Sequence, residues 1–317
     1  MPSPHGIHAI DTLFQKPAFC TAYLVVENGR GAFVDTGTRH SLPQHLAALE
    51  AAGLAPEDVD WVVLTHVHLD HAGGAGALMA VLPNARLVVH PRGARHMVDP
   101  SRLVAGATAV YGEEEIARSY GEVVPVPAER IVEAPDGHVV DLAGRALHCF
   151  DTPGHARHHL SVWDPASRSV FAGDAFGLSY REFDRADGTP WIVPTTSPVQ
   201  FEPGPMIASI RRILGHRPGA IHLGHYGAVT DGERLGDLLV VQVERMAALA
   251  REAMQRPEAE RAAWLQGALE DFYFEQLRAH DPAADRGAMR AQLAGDIVLN
   301  AQGLLIWAAR AAEEGRT

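Results

Sequence analysis

Cysteine is scarce in this chain: Cys20 and Cys149 are the only two in 317 residues, and each falls in a strand-like run. A disulfide framework is therefore excluded, and a reducing, cytoplasmic setting is expected. Long apolar runs are missing as well, with no stretch of about 18 uninterrupted apolar residues to span a bilayer. The start, Met1-Pro2-Ser3-Pro4-His5-Gly6, lacks the charged segment and apolar core of a secretory leader, so a soluble, unprocessed protein is expected. Basic residues are outnumbered, 27 against 39 acidic, for a formal charge of -12. Without a basic stripe this balance repels phosphate backbones and anionic membranes, which excludes nucleic acid and membrane as expected partners and leaves a small molecule.

What the chain does have is histidine, 18 in all, and a dense local cluster of it. Thr65-His66-Val67-His68-Leu69-Asp70-His71-Ala72-Gly73-Gly74 packs three imidazoles and a carboxylate into six residues. Those are the nitrogen and oxygen donors that a zinc-like cation prefers. The apolar run Trp61-Val62-Val63-Leu64 before it reads as a buried strand, and Gly73-Gly74 followed by 75–82 reads as a turn into a helix. His66 and His68, two apart in extended backbone, point the same way, while Asp70 and His71 swing round the turn.

Elsewhere, 21–27 and 31–34 form a hairpin about Asn28-Gly29-Arg30. Ser41-Leu42-Pro43 caps a helix that Gly53 ends. Residues 86–90 make a strand, 92–135 lose strand rhythm and read as an insertion, and 113–120 are helical within it. Strands return at 139–140, 146–151, 160–163, 170–172 and 220–223. Two batches of strands interrupted by helices predict two packed sheets covered by helices over residues 1–230. From a capping-box pattern at Thr230-Asp231-Gly232-Glu233, residues 231–317 read as a separate helical extension of three helices, broken at Pro257 and at Asp281-Pro282. Its apolar stripes pack on the core or meet a partner.

Three further ligand-type residues follow strands, each directly after a glycine that lets the backbone turn sharply: His155, Asp174 and His225. With the first cluster they match the ligand pattern of the metallo-β-lactamase superfamily, which the chain resembles from about residue 10 to residue 230. The resemblance implies an αββα sandwich of two mixed β-sheets flanked by helices. It implies two divalent metal ions, zinc first and iron or manganese as alternatives, one held by His66, His68 and His155 and the other by Asp70, His71 and His225, with Asp174 bridging. It further implies hydrolysis by a metal-bridging hydroxide, Asp70 taking a proton from the water through its second oxygen.

The substrate expected on this basis is an ester, thioester or lactone of a small molecule, since the motif resembles both glyoxalase II-type thioesterases and lactonases. The alternatives are a mononuclear iron persulfide dioxygenase and a non-catalytic metal-binding member. The aromatic residues Phe176, Tyr180, Phe183, Trp191 and Phe201 in the 176–204 loop are expected to wall the metals. Tyr226 is a candidate catalytic hydrogen-bond donor to a carbonyl or leaving group. His158 and His159 are read as supporting or surface residues, His90 and His222 as core or rim, and Cys149 as packing. A homodimer through the C-terminal helices or the 176–204 loop is a further expectation.

Overall fold

The computed structural model describes residues 4–196 and 198–315. Residues 1–3, 197 and 316–317 lie outside it, and with them part of the chain start and the last residues of the predicted extension. The chain divides into two compact units. One takes the chain up to Asp151 together with His158–Gly173 and His216–Thr230; the other takes Thr152–Arg157, Asp174–Gly215 and the chain from Asp231. One seam of this division lies between Thr230 and Asp231, and the second unit also draws in two earlier segments.

The first unit holds two six-stranded mixed sheets. In one, β1 (Ile7–Asp11), β2 (Thr21–Glu27), β3 (Arg30–Val34), β4 (Val59–Val63), β5 (Arg86–Val89) and β6 (Ile131–Glu133) lie in sequence order. The first three are antiparallel and the last three continue parallel from β3. The second sheet runs β7 (Val139–Leu142), β8 (Arg145–Asp151), β9 (Leu160–Asp164), β10 (Ser169–Gly173), β11 (Ala220–Leu223) and β12 (Gly227–Val229), with only β10 and β11 parallel. Val25, Val34, Val63 and Val88 of the first sheet meet Leu142, Leu147, Val162 and Phe171 of the second in one buried core. The opposite face of the first sheet, through Leu24, Phe33, Val62 and Leu87, packs on α1 (Leu42–Ala52), α3 (Ala75–Val81) and α4 (Pro91–Val98). Both faces of its central strands are covered, so they read as continuous apolar runs rather than alternating ones. The fold is the expected αββα sandwich of two mixed sheets flanked by helices, with helices at the C-terminal end.

The hairpin closes as predicted: Glu27 pairs with Arg30, and Asn28 and Gly29 take φ of 47° and 75°, both in the left-handed region that a two-residue turn demands. Several expectations are corrected. The span 92–135 is no strandless insertion. It carries α4, α5 (Ser101–Tyr111), α6 (Glu113–Glu115) and a π turn at Ile116–Tyr120, then rejoins the sheet as β6. Three-residue β6 is too short for a readable alternation, and α5 buries no residue fully, so neither leaves a clear pattern. Ser41 holds the N-cap position of α1 with proline in the first turn, but its hydroxyl makes no capping bond and donates to Thr12 O at 2.9 Å instead. The capping box read at Thr230–Glu233 is displaced, because α8 (Gly232–Met254) takes Asp231 and not Thr230 as its N-cap; the Asp231 side chain makes no capping bond and instead accepts from Arg234.

In the second unit α8 packs against α7 (Pro203–Gly215), α9 (Glu258–His280) and α10 (Arg286–Glu313), and α9 packs against α10. The breaks at Pro257 and before Arg286 fall where the sequence places them. The five aromatic residues of 176–204 belong to this unit, and all are buried, Trp191 against Phe183, Phe201 against Trp307, and Tyr180 donating to Asp296. Tyr180 and Phe201 tie the segment to α10. Among the described residues no helix is long and apolar enough to cross a membrane.

Candidate metal centre

Beyond β4 the backbone leaves the sheet at Thr65, and the one-turn helix α2 (Leu69–Ala72) begins with extended His68 as its cap. Gly74 lets this turn press against the neighbouring loop, since a Cβ there would meet Thr36 O at 2.8 Å and Thr38 O at 2.6 Å. The geometry turns the two early imidazoles on each other, with His66 Nε2 and His68 Nδ1 3.0 Å apart.

The outer nitrogens settle which ring atoms face the cluster. His71 Nδ1 donates to Asp35 Oδ2 at 3.0 Å, and His225 Nδ1 donates to Phe19 O at 2.9 Å. Thr65 Oγ1 lies 2.8 Å from Asp35 Oδ2, to which it donates, and 3.1 Å from His66 Nδ1, from which it then accepts. With Nδ1 carrying the proton in each of these three rings, Nε2 is left as a lone-pair donor, the arrangement that metal-binding histidines use. Asp35 is thus the common anchor of His66 and His71. It also accepts from Thr65 N at 2.8 Å, and holds a left-handed φ of 60° at the end of β3.

His225, on the turn after β11, places Nε2 3.3 Å from Asp70 Oδ2, and His71 Nε2 lies 3.5 Å from the same oxygen. Burial works against ionisation of Asp70, but His71, His225 and His68, when protonated, outweigh it and hold its carboxyl well below the usual carboxylate range. Cys20 is the fourth member: one ligand atom from each of Cys20, Asp70, His71 and His225 lies within 4.8 Å of the others.

Of the seven predicted ligands, His66, His68, Asp70, His71 and His225 come together in the first unit. The other two, His155 and Asp174, come together in the second. There His155 Nε2 is 3.6 Å from Asp174 Oδ2, His155 Nδ1 faces Thr195 O at 3.3 Å, and both side chains are buried. Gly154 is required before His155, because a Cβ would meet Met206 N and Cα at 2.3 Å. Tyr226 is half-buried beside His225. His159 stacks on His66 at 4.9 Å between centroids, and His158 Nδ1 lies 3.4 Å from Val67 N, so both support the cluster. His90 pairs with Asp151 at 3.4 Å, and His222 is buried between Tyr23 and Phe171.

Asp35, Thr65 and Cys20 were not singled out from sequence. Asp35 shares the strand-end position of the predicted ligands but follows Val34 rather than a glycine, with Gly37 two residues on, so only the strand end was an available signal. In donor chemistry the cluster suits a divalent cation: imidazole lone pairs and a carboxylate held ionised, with a thiol at hand.

Comparison with known proteins agrees. The family model described as the metallo-beta-lactamase superfamily matches residues 16–225. A metallo-beta-lactamase fold-containing protein of Sulfurisphaera tokodaii is 25% identical over 230 residues, covering 71% of this chain and 80% of its own. The structure solved for it superposes with a TM-score of 0.60, covering 76% and 86% of the two chains. A hydroxyacylglutathione hydrolase of Acidiphilium cryptum is 31% identical over 140 residues, 44% of this chain and 42% of its own. An acyl-coenzyme A thioesterase of Gallus gallus is 29% identical over 170 residues, 48% and 56%. The match to these two enzymes spans about half of their length. The family model covers the whole stretch from the loop before β2 to His225, and that stretch carries β2 to β11 of the two sheets and the histidine-carboxylate cluster: the chain belongs to the metallo-beta-lactamase superfamily.

Proposed function

We propose that the protein is a metal-dependent hydrolase that cleaves an ester, thioester or lactone of a small molecule. Two divalent cations would be held, one by His66, His68 and His155, the other by Asp70, His71 and His225, with Asp174 shared. The observation that carries this is the fixed direction of the imidazoles: acceptors tie Nδ1 of His66, His71 and His225, so each presents Nε2 as a ligand. The hydrolase and thioesterase relatives support the reaction class. When bound, such cations lower the pKa of a coordinated water and polarise a carbonyl oxygen.

The chain's own groups divide the remaining work. Asp70 would serve as a ligand through one carboxylate oxygen and orient water through the other, which is where it would receive a proton. Tyr226 is proposed to donate a hydrogen bond to the substrate carbonyl or leaving group.

The test is metal analysis of protein purified without added metal, followed by a panel of lactones and thioesters before and after chelation. Two metals per chain and hydrolysis that chelation abolishes are expected. Hydrolysis that survives complete metal removal would sink the proposal; one iron per chain with oxygen uptake would replace it with dioxygenase chemistry.

A further inference from the structure

The two cysteines occupy opposite environments. Cys149 lies in the apolar core between the sheets, where burial pushes its thiol up to about 12. Cys20 is equally buried but faces polar company: its Sγ lies 3.4 Å from Asp70 O, and it belongs to the group with Asp70, His71 and His225.

The backbone leaves Cys20 little room to be elsewhere. On one side, Phe19 O accepts from His225 Nδ1. On the other, Thr21 N donates to Gly224 O at 2.8 Å, and Thr21 Oγ1 accepts from Gly227 N at 3.0 Å. Cys20 O itself accepts from Thr12 N and Thr12 Oγ1 at 3.1 and 3.0 Å. The segment bearing the thiol is thus stitched to the turn bearing His225.

We propose that Cys20 Sγ is a further ligand, as thiolate, of the cation held by Asp70, His71 and His225. This rests on the reading that the cluster holds a divalent cation. On binding, the S–H bond breaks, the sulfur–metal bond forms and the proton leaves to solvent. The thiolate adds an anionic sulfur to the Asp70 carboxylate and the two imidazoles around this cation. Sulfur at this position selects thiophilic ions such as zinc, cobalt or cadmium over manganese or magnesium.

The experiment uses the full chain, stripped of metal and refilled with cobalt(II), read by absorption rather than turnover. A thiolate-to-cobalt charge-transfer band in the near ultraviolet is expected, absent from Cys20→Ser and retained in Cys149→Ser. Zinc affinity of Cys20→Ser, by chelator competition, should fall at least about tenfold. Should Cys20→Ser not fold, the band in Cys149→Ser alone assigns the sulfur, because the chain has only two cysteines. Cobalt uptake with no thiolate band, or a band that survives Cys20→Ser, overturns the assignment of Cys20 and leaves the metal reading standing. Failure to take up cobalt at all overturns both.

Discussion

Asp35 Oδ2 accepts from His71 Nδ1 at 3.0 Å across 36 residues of sequence, and both side chains are almost wholly shielded from solvent. The same carboxylate holds Thr65, and through it His66, so one buried anion orients two of the five clustered ligands.

Replacing that anion is therefore expected to loosen the centre without removing a ligand. In Asp35→Asn one oxygen becomes an NH2 group that cannot accept, so His71 Nδ1 and Thr65 Oγ1 compete for a single acceptor. Metal affinity measured by chelator competition should fall about 10–100-fold. Unchanged affinity in a folded variant would show that Asp35 plays no part in orienting the ligands.

Gly173, at the end of β10, has φ of +49°, and a Cβ there would meet Thr65 Oγ1 at 2.6 Å and His159 Nε2 at 2.8 Å. Gly173→Ala should destabilise the protein by about 1–3 kcal/mol, from the crowding and the left-handed backbone together. The urea midpoint of the variant tests this; no shift from the parent protein refutes the crowding.

His222 is buried against Tyr23 and Phe171, and burial pushes its pKa down to about 4. Its unfolded value is about 6.5, so the unfolded chain binds a proton between those values while the folded chain does not. The stability associated with neutral His222 is complete above about pH 6.5 and declines at about 1.4 kcal/mol per pH unit as pH falls toward 4. Urea unfolding at pH 7 and pH 5 should show a steeper loss in the parent than in His222→Leu. Parallel losses in the two proteins would mean that His222 titrates normally.

In the second unit, Asn300 is the hub of a buried polar network. Its Oδ1 accepts from Thr196 N at 2.8 Å and Thr196 Oγ1 at 3.1 Å, and its Nδ2 donates to Tyr273 OH at 2.9 Å and Pro194 O at 3.2 Å. Asn300→Leu strands these groups and is expected to cost about 2–4 kcal/mol by chemical denaturation. A loss under about 0.5 kcal/mol, the usual limit for an exposed site, would contradict the network's importance.

Much was legible before any coordinates because it is written locally. The run His66-Val67-His68-Leu69-Asp70-His71 carries its ligand chemistry within two turns of chain, and Gly154, Gly173 and Gly224 mark the sharp bends before His155, Asp174 and His225. Apolar runs named most inner strands, and Asn28-Gly29 named the hairpin. Of the four edge strands, β7 was read from Val139-Val140, while β1, β6 and β12 escaped, because hydrogen bonds to a single neighbour rather than a readable apolar run make them strands.

By itself, then, the sequence determined the ligand types, the turns that expose them and the alternation of strands and helices, because each depends on residues within a few positions of one another. Only the tertiary structure decided that Asp35 anchors the imidazoles, that Cys20 joins Asp70, His71 and His225, and that Tyr180 meets Asp296 and Phe201 meets Trp307. Those outcomes depend on which distant segments meet. A hydrogen bond or a buried ring is a property of the pair, and neither partner's local sequence names the other.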